Sequence, residues 1–262
     1  MGTSLKDRTV VVIGRGSGIA RAIVDAASGA GARVVVAGRD TEALREAYAG
    51  RMDERVQDGR AQDEQTQSEL DEHGPAIRAE QVDVTDDASI AAFADRLGPV
   101  DHLVTTASAR ARGLLKDLDR ADILRSLDTK VVGPLMLAKH FAPTIADGGS
   151  FTLFSGVAAF KPAVGYMGVA ITNGAADFLA RSLALELAPI RVNAISPGVI
   201  DTGIWDSLGE EGKEQYFAHF RAHNPARRIG SVEDIADAVM FAMTNPFLTG
   251  VTLRVDGGEP LT

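Results

Sequence analysis

Short runs of β-branched residues alternate along this chain with longer stretches in which apolar and polar positions are mixed. The runs are Val10–Ile13, Arg33–Ala37, Ala79–Val82, Asp101–Thr105, Ser150–Ser155, Ile190–Ala194 and Val251–Val255, the third being the weakest. Most are continuously apolar, as expected of parallel strands covered on both faces. Between them the spacing of apolar positions predicts helices over Ile19–Ala30, Thr41–Val56, Ala88–Leu97, Ala121–Ala146, Val169–Ala188 and Val232–Met243. Strands alternating with helices predict an α/β chain with a doubly wound, parallel, seven-stranded sheet flanked by helices. No internal repeat and no linker rich in Pro, Gly or Ser interrupts the pattern, so residues 1–262 are read as one domain.

One stretch departs from it. Arg51–Glu72 holds eight acids, three arginines and only four apolar residues. Such a run cannot bury a stripe of its own. Residues 51–78 are therefore expected to form a solvated helix extension, a loop or an acidic insert.

Composition narrows the chemistry. There is no cysteine, which excludes disulfides, thiolate metal sites and a cysteine nucleophile. The net charge of -9 argues against nucleic acid or an anionic membrane as the main partner, while leaving room for a local basic pocket. No apolar run is long enough to span a bilayer, and Met1–Arg8 lacks the apolar core of a signal peptide, so a cytoplasmic protein is expected. His219 and His223 have i, i+4 spacing, but no third ligand accompanies them and no metal is expected.

The first run leads directly into Gly14-Arg15-Gly16-Ser17-Gly18-Ile19-Ala20. A glycine turn between strand and helix lets backbone approach a pyrophosphate, and the helix N-terminus offers it free N–H groups. This is the Rossmann-type arrangement, here in its confirming context. The second run ends Gly38-Arg39-Asp40, without the carboxylate that holds a ribose 2′-hydroxyl in NAD-binding sites. Arg39 and Arg15 are suited instead to a 2′-phosphate, so NADP(H) is expected, with NAD(H) the less favoured alternative. Asp40 is read as the cap of the next helix.

These motifs resemble the short-chain dehydrogenase/reductase family over nearly the whole chain. Asp83-Val84-Thr85-Asp86 is similar to its adenine-binding stretch, Arg191–Gly198 with Thr202 to its nicotinamide-side loop, and Val255-Asp256-Gly257-Gly258 to its C-terminal signature. The resemblance implies a cofactor cleft lined by Gly14, Arg15, Gly16, Ser17, Gly18, Ile19, Arg39, Asp83, Val84, Ala107, Pro197, Gly198, Ile200 and Thr202, and a homodimer or homotetramer. It also implies a catalytic serine, tyrosine and lysine, with an asparagine on an earlier helix. Those residues are not where the family keeps them. Gapless counting back from Leu183-Ala184-Leu185-Glu186-Leu187 puts Asn173 at the lysine position, Val169 at the tyrosine position and Gly156 at the serine position. Lys130 stands at the asparagine position, and Thr105-Thr106-Ala107-Ser108 replaces Asn-Asn-Ala-Gly.

A rebuilt centre would draw on Tyr166, one helical turn before Val169, on Ser155 beside Gly156, and on the exchanged pair Lys130 and Asn173; Lys161 is a further cation nearby. Each has a bland counterpart: a pocket-lining tyrosine, a serine bonded to backbone, a surface lysine. Residues 201–230, with Trp205, Tyr216, Phe217 and Phe220, correspond to the part that covers the substrate in the family, so an apolar or aromatic small molecule is expected there unless these are oligomer contacts. Three functions stay open: an NADP(H)-dependent oxidoreductase acting on a carbonyl/alcohol pair through an atypical site, a nucleotide-binding sensor, scaffold or partner subunit without turnover, and a non-redox enzyme using the same pocket.

Overall fold

A computed structural model describes residues 4–52 and 77–262. Seven parallel strands form one sheet: β1 Thr9–Ile13, β2 Arg33–Gly38, β3 Ile77–Gln81, β4 Val100–Thr105, β5 Ile145–Phe154, β6 Arg191–Pro197 and β7 Thr252–Val255. Their order is β3-β2-β1-β4-β5-β6-β7. After β3 the chain crosses back to place β4 beside β1. Strand order reverses at that seam, and the crevice beyond the carboxyl ends of β1 and β4 is where ligands bind in open α/β sheets.

Strand side chains alternate between two covered faces. Val10, Val12, Val34 and Val36 pack against α1 (Gly18–Gly29) and against Val232–Thr244, the last helix. Val11, Ile13, Leu103, Phe151 and Leu153 face the other way, toward Phe93, Leu137, Phe141 and Leu183. Both faces being dry accounts for the unbroken valine runs. Asp40 caps α2 (Thr41–Ala47), accepting from the Ala43 amide at 3.0 Å.

Two elements differ from the expected pattern. The helix expected over 41–56 stops at Ala47; Tyr48 turns into the core and Met52 bridges to Ile77, bringing the chain back to the sheet. The acidic stretch from 53 to 76 lies outside the described residues. The single helix expected over Ala121–Ala146 is three pieces. After α3 (Asp87–Leu97) come α4 (Arg120–Leu127), a π-turn at Asp128–Val132 and α5 (Gly133–Phe141). The Gly133 amide closes the π-turn onto the Asp128 carbonyl. Gly133 packs so closely on the loop after β3 that an added Cβ would lie 2.6 Å from the Val84 carbonyl oxygen. Pro143, which has no amide hydrogen to donate, follows the end of α5, and β5 begins at Ile145 rather than at Ser150. The remaining helices are α6 (Met167–Glu186), α7 (Gly209–His223) and α8 (Val232–Thr244).

Candidate active site

The glycine loop joins β1 to α1 at the strand-order seam. Gly16 and Gly18 are left-handed, with φ of +65° and +53°, a conformation that side chains disfavour. Ser17 is the N-cap of α1 but its hydroxyl makes no cap bond, so the first amides of a twelve-residue helix keep their donors available. The loop is tied to its neighbours: the Gly14 amide donates to the Ala37 carbonyl at 2.9 Å, and the Thr106 hydroxyl donates to the Ile13 carbonyl at 3.0 Å. Thr202 approaches from the loop after β6, its carbonyl oxygen 3.2 Å from where a Cβ on Gly18 would sit.

Arg15 and Arg39 have no ion-pair partner among the described residues. Asp83, whose carboxylate accepts from the Thr85 amide at 3.0 Å and its hydroxyl at 2.7 Å, is held below the usual carboxylate range chiefly by the Thr85 amide, with a smaller pull from Arg39. Val84 is buried and Ala107 half-buried at the same seam. Open amides, left-handed glycines and unpaired arginines fit a dinucleotide carrying an extra phosphate. Ile200 contributes only backbone: its side chain is buried against Gly230, and its carbonyl accepts from the Trp205 indole at 2.8 Å.

Across the seam, Lys130 and Asn173 meet. The π-turn rotates Lys130 inward until it is 8% exposed. Its ammonium donates to the Ser155 carbonyl at 3.0 Å and to Asn173 Oδ1. An ammonium has three N–H groups, so one is left over. Burial drives the Lys130 pKa down to about 7, and nearby Arg110 pushes in the same direction. The Ser155 hydroxyl donates to the Asn173 backbone carbonyl at 2.9 Å. Glycine at 156 makes the grouping possible, since a Cβ there would lie 2.7 Å from the Asn173 amide nitrogen. Among described residues Lys130, Asn173 and Ser155 therefore form one buried polar cluster, with Ser155 in the role of a brace bonded to backbone.

Tyr166 stands apart from that cluster. It is the N-cap of α6 and half-buried, with the Arg112 guanidinium 4.7 Å from its ring centroid. It lies close to Tyr216, where burial first, then the neighbouring Tyr166 and Glu259, lifts the Tyr216 pKa to about 12. Tyr216 belongs to an aromatic group on α7: it stacks on Trp205 at 4.5 Å and lies 4.8 Å from Phe220. Lys161 turns away, donating to the Glu259 carbonyl at 3.1 Å and the Thr262 hydroxyl at 3.3 Å. His223 Nδ1 bonds back to the His219 carbonyl at 2.7 Å.

Arg110 and Arg112, in the loop after β4, were not anticipated. Ala111 between them is buried against Gly168 of α6, while both arginines are exposed. The alternation of small and basic residues in Ala109-Arg110-Ala111-Arg112-Gly113 was the available signal.

The model of the family described as Enoyl-(Acyl carrier protein) reductase matches residues 54–259. This chain belongs to the short-chain dehydrogenase/reductase family. Among relatives, it is 32% identical to the short-chain dehydrogenase/reductase ucsE of Acremonium sp, covering 97% of this chain and 96% of the relative. It is 30% identical to the 3-oxoacyl-[acyl-carrier-protein] reductase of Mus musculus, over 98% of this chain and 99% of that one. A solved small-chain dehydrogenase in complex with NADPH superposes with a TM-score of 0.75 at 27% identity, covering 97% and 99% of the two chains. A short-chain type dehydrogenase/reductase from Mycobacterium ulcerans gives 0.82 at 30% identity, covering 98% and 91%. Among the described residues no helix is long and apolar enough to cross a membrane.

Proposed function

We propose that this protein is an NADP(H)-dependent oxidoreductase acting on a carbonyl/alcohol pair, with a reaction centre rebuilt around Lys130 and Asn173. The observation that carries the reading is their contact: the two exchanged side chains form one buried cluster at the strand-order seam. Residues lost from a disused site have no reason to converge on each other. The NADPH bound to a structural relative supports the cofactor assignment, and Arg39 and Arg15 supply its physical basis here.

The bound cofactor would supply a hydride to the carbonyl carbon. The glycine loop and the α1 amides hold its pyrophosphate, Arg39 and Arg15 its 2′-phosphate, and the Pro197–Thr202 loop covers its other end. Lys130 handles the proton. Asn173 Oδ1 and the Ser155 carbonyl orient the ammonium, whose remaining N–H points a proton at the developing alkoxide. A pKa of about 7 suits that task, because the group gives up and regains a proton near neutrality. Reduction is then expected to slow as pH rises through about 7, as the ammonium is lost. The Arg112–Tyr166–Tyr216 wall and the 201–230 lid would enclose a small substrate, in a homodimer or homotetramer.

Lys130→Met tests this. Loss of carbonyl-dependent NADPH oxidation, with NADPH still bound, is the expected result. Unchanged turnover would remove Lys130 from the mechanism. One observation favours a second reading, cofactor binding without turnover: the Ser155 hydroxyl is bonded to backbone and, among the described residues, Lys130 bonds neither that hydroxyl nor Tyr166. A carbonyl panel with no turnover in the parent protein would select it.

A further inference from the structure

The loop between β4 and α4 concentrates positive charge on the wall of the proposed substrate pocket. It is pinned at three points, so its side chains have defined places: the Ser126 hydroxyl donates to the Ala109 carbonyl at 2.7 Å, the Gly113 amide to the Gly165 carbonyl at 3.0 Å, and Ala111 is wedged against Gly168. Ala111 is buried between the exposed Arg110 and Arg112, which lie within electrostatic reach of each other. The Arg112 guanidinium carbon sits 4.7 Å from the Tyr166 ring centroid, a cation–π contact that uses the face of the guanidinium group and not its N–H donors. Arg110 reaches back toward the reaction centre. It is open to solvent along one side, yet the protein around its guanidinium, then Arg112 and Arg15, press its pKa down.

In a chain of net charge -9, these cations have gathered without counter-charge. Among the described residues neither Arg110 nor Arg112 makes an ion pair or a hydrogen bond. The carboxylate that reaches this wall through Tyr216 is Glu259; it is buried at 8% exposure, has one carboxylate oxygen without a partner, and is pushed toward its neutral form by that burial. Like charges held together at a cleft attract an anion and repay its desolvation best where the donors are already oriented. Arg39 lies by Asp83 and the 2′-phosphate position, and Arg15 lies between it and Arg110, so Arg112 on Tyr166 is the charge left for the second ligand.

We infer that Arg112, with Arg110 behind it, is an anion clamp that selects carbonyl substrates bearing a carboxylate. The inference rests on the oxidoreductase reading for the word substrate, but not for the site. The carbonyl sits at Lys130 and Asn173, and the carboxylate takes the N–H edge of Arg112, with Tyr166 as the floor between them.

The test compares acids with their uncharged esters at two spacings: acetoacetate against methyl acetoacetate, and 4-acetylbenzoate against methyl 4-acetylbenzoate. With NADPH-loaded protein, kcat/KM is expected to favour the acid of at least one pair by about tenfold or more, through KM rather than kcat. Arg112→Gln should bring that ratio close to one, and Arg112→Lys should restore part of it, since an ammonium keeps the charge without the planar fork. Thermal melting confirms that each variant is folded. Where no ketone is turned over, calorimetric titration of the same four compounds into NADPH-loaded protein reads the same ratio. Arg112-dependent binding of an acid without turnover keeps the clamp and removes the oxidoreductase reading. Turnover with acid and ester within twofold of each other in both pairs, a preference that survives Arg112→Gln, or no binding of either acid overturns the clamp.

Discussion

The two sides of the strand-order seam are built from different materials. On the β1–α1–β2 side the cofactor cradle is mostly backbone: left-handed Gly16 and Gly18, the open amides of α1, and the carbonyl and amide bonds that pin Gly14. On the β4–β5–α6 side the polar groups that meet are side chains, Lys130 and Asn173, with Gly156 leaving room beside them. A backbone cradle depends on a few glycines and on strand register, so it tolerates substitution around it. A side-chain centre depends on the position of each atom. The contacts tie this cluster together as a unit: Lys130 bonds to Asn173, glycine at 156 clears room for the amide, and a π-turn carries the ammonium inward.

If the two sides are separable, variants should damage one and spare the other. Lys130→Met should have the largest effect, lowering turnover by about a hundredfold or more, as loss of a general acid does. NADPH affinity by fluorescence titration should shift far less, and equal losses in both would show that the sides are not separable. Arg39→Ala should do the opposite. Loss of charge-assisted bonds worth about 1.5–3 kcal/mol should raise the NADPH Kd by about tenfold or more, leave NADH binding in place, and show kcat near the parent value at saturating cofactor.

Gly156→Ala sharpens the contrast, because it adds no chemistry. Its methyl group would lie 2.7 Å from the Asn173 amide, so either the amide moves off Lys130 or the β5–α6 junction shifts. An overpacking cost of about 1–3 kcal/mol in denaturant unfolding is expected, with reduced turnover and unchanged NADPH binding. Alanine accommodated without loss of either would mean that the cluster needs no such close approach.

The pH dependence of stability tests the buried ammonium itself. Lys130 falls from 10.5 in the unfolded chain to about 7 in the fold. Between those values the unfolded chain binds the proton more firmly, so stability rises with pH: the burial penalty is full below about pH 7 and fades toward 10.5. The parent protein should therefore gain stability relative to Lys130→Met from pH 7 to pH 10 in urea unfolding. A constant difference would show that Lys130 stays protonated throughout.

Part of this architecture is written locally. Val10–Ile13 and Val34–Ala37 read as buried parallel strands because uninterrupted β-branched residues suit nothing else so well, and the glycine loop between strand and helix specifies its own backbone shape. Asp40 followed by Thr41 announces a helix start, and Asp40 is the cap. The helical spacing that predicted Val169–Ala188 is met by α6, one unbroken helix that carries Asn173. What counting along the chain did not supply was any relation between elements. The break of 121–146 into two helices around a π-turn answers to Gly133 pressing on the Val84 carbonyl, from a loop nearly fifty residues away in sequence. Tyr166 lying beside Tyr216, Ser155 bonding to the Asn173 backbone, and Arg112 lying over Tyr166 each join segments that only packing brings together. Local propensity and periodicity act over one or two turns and determine which elements form. Which side chains share a cleft depends on how those elements stack, and that was decided by the tertiary structure.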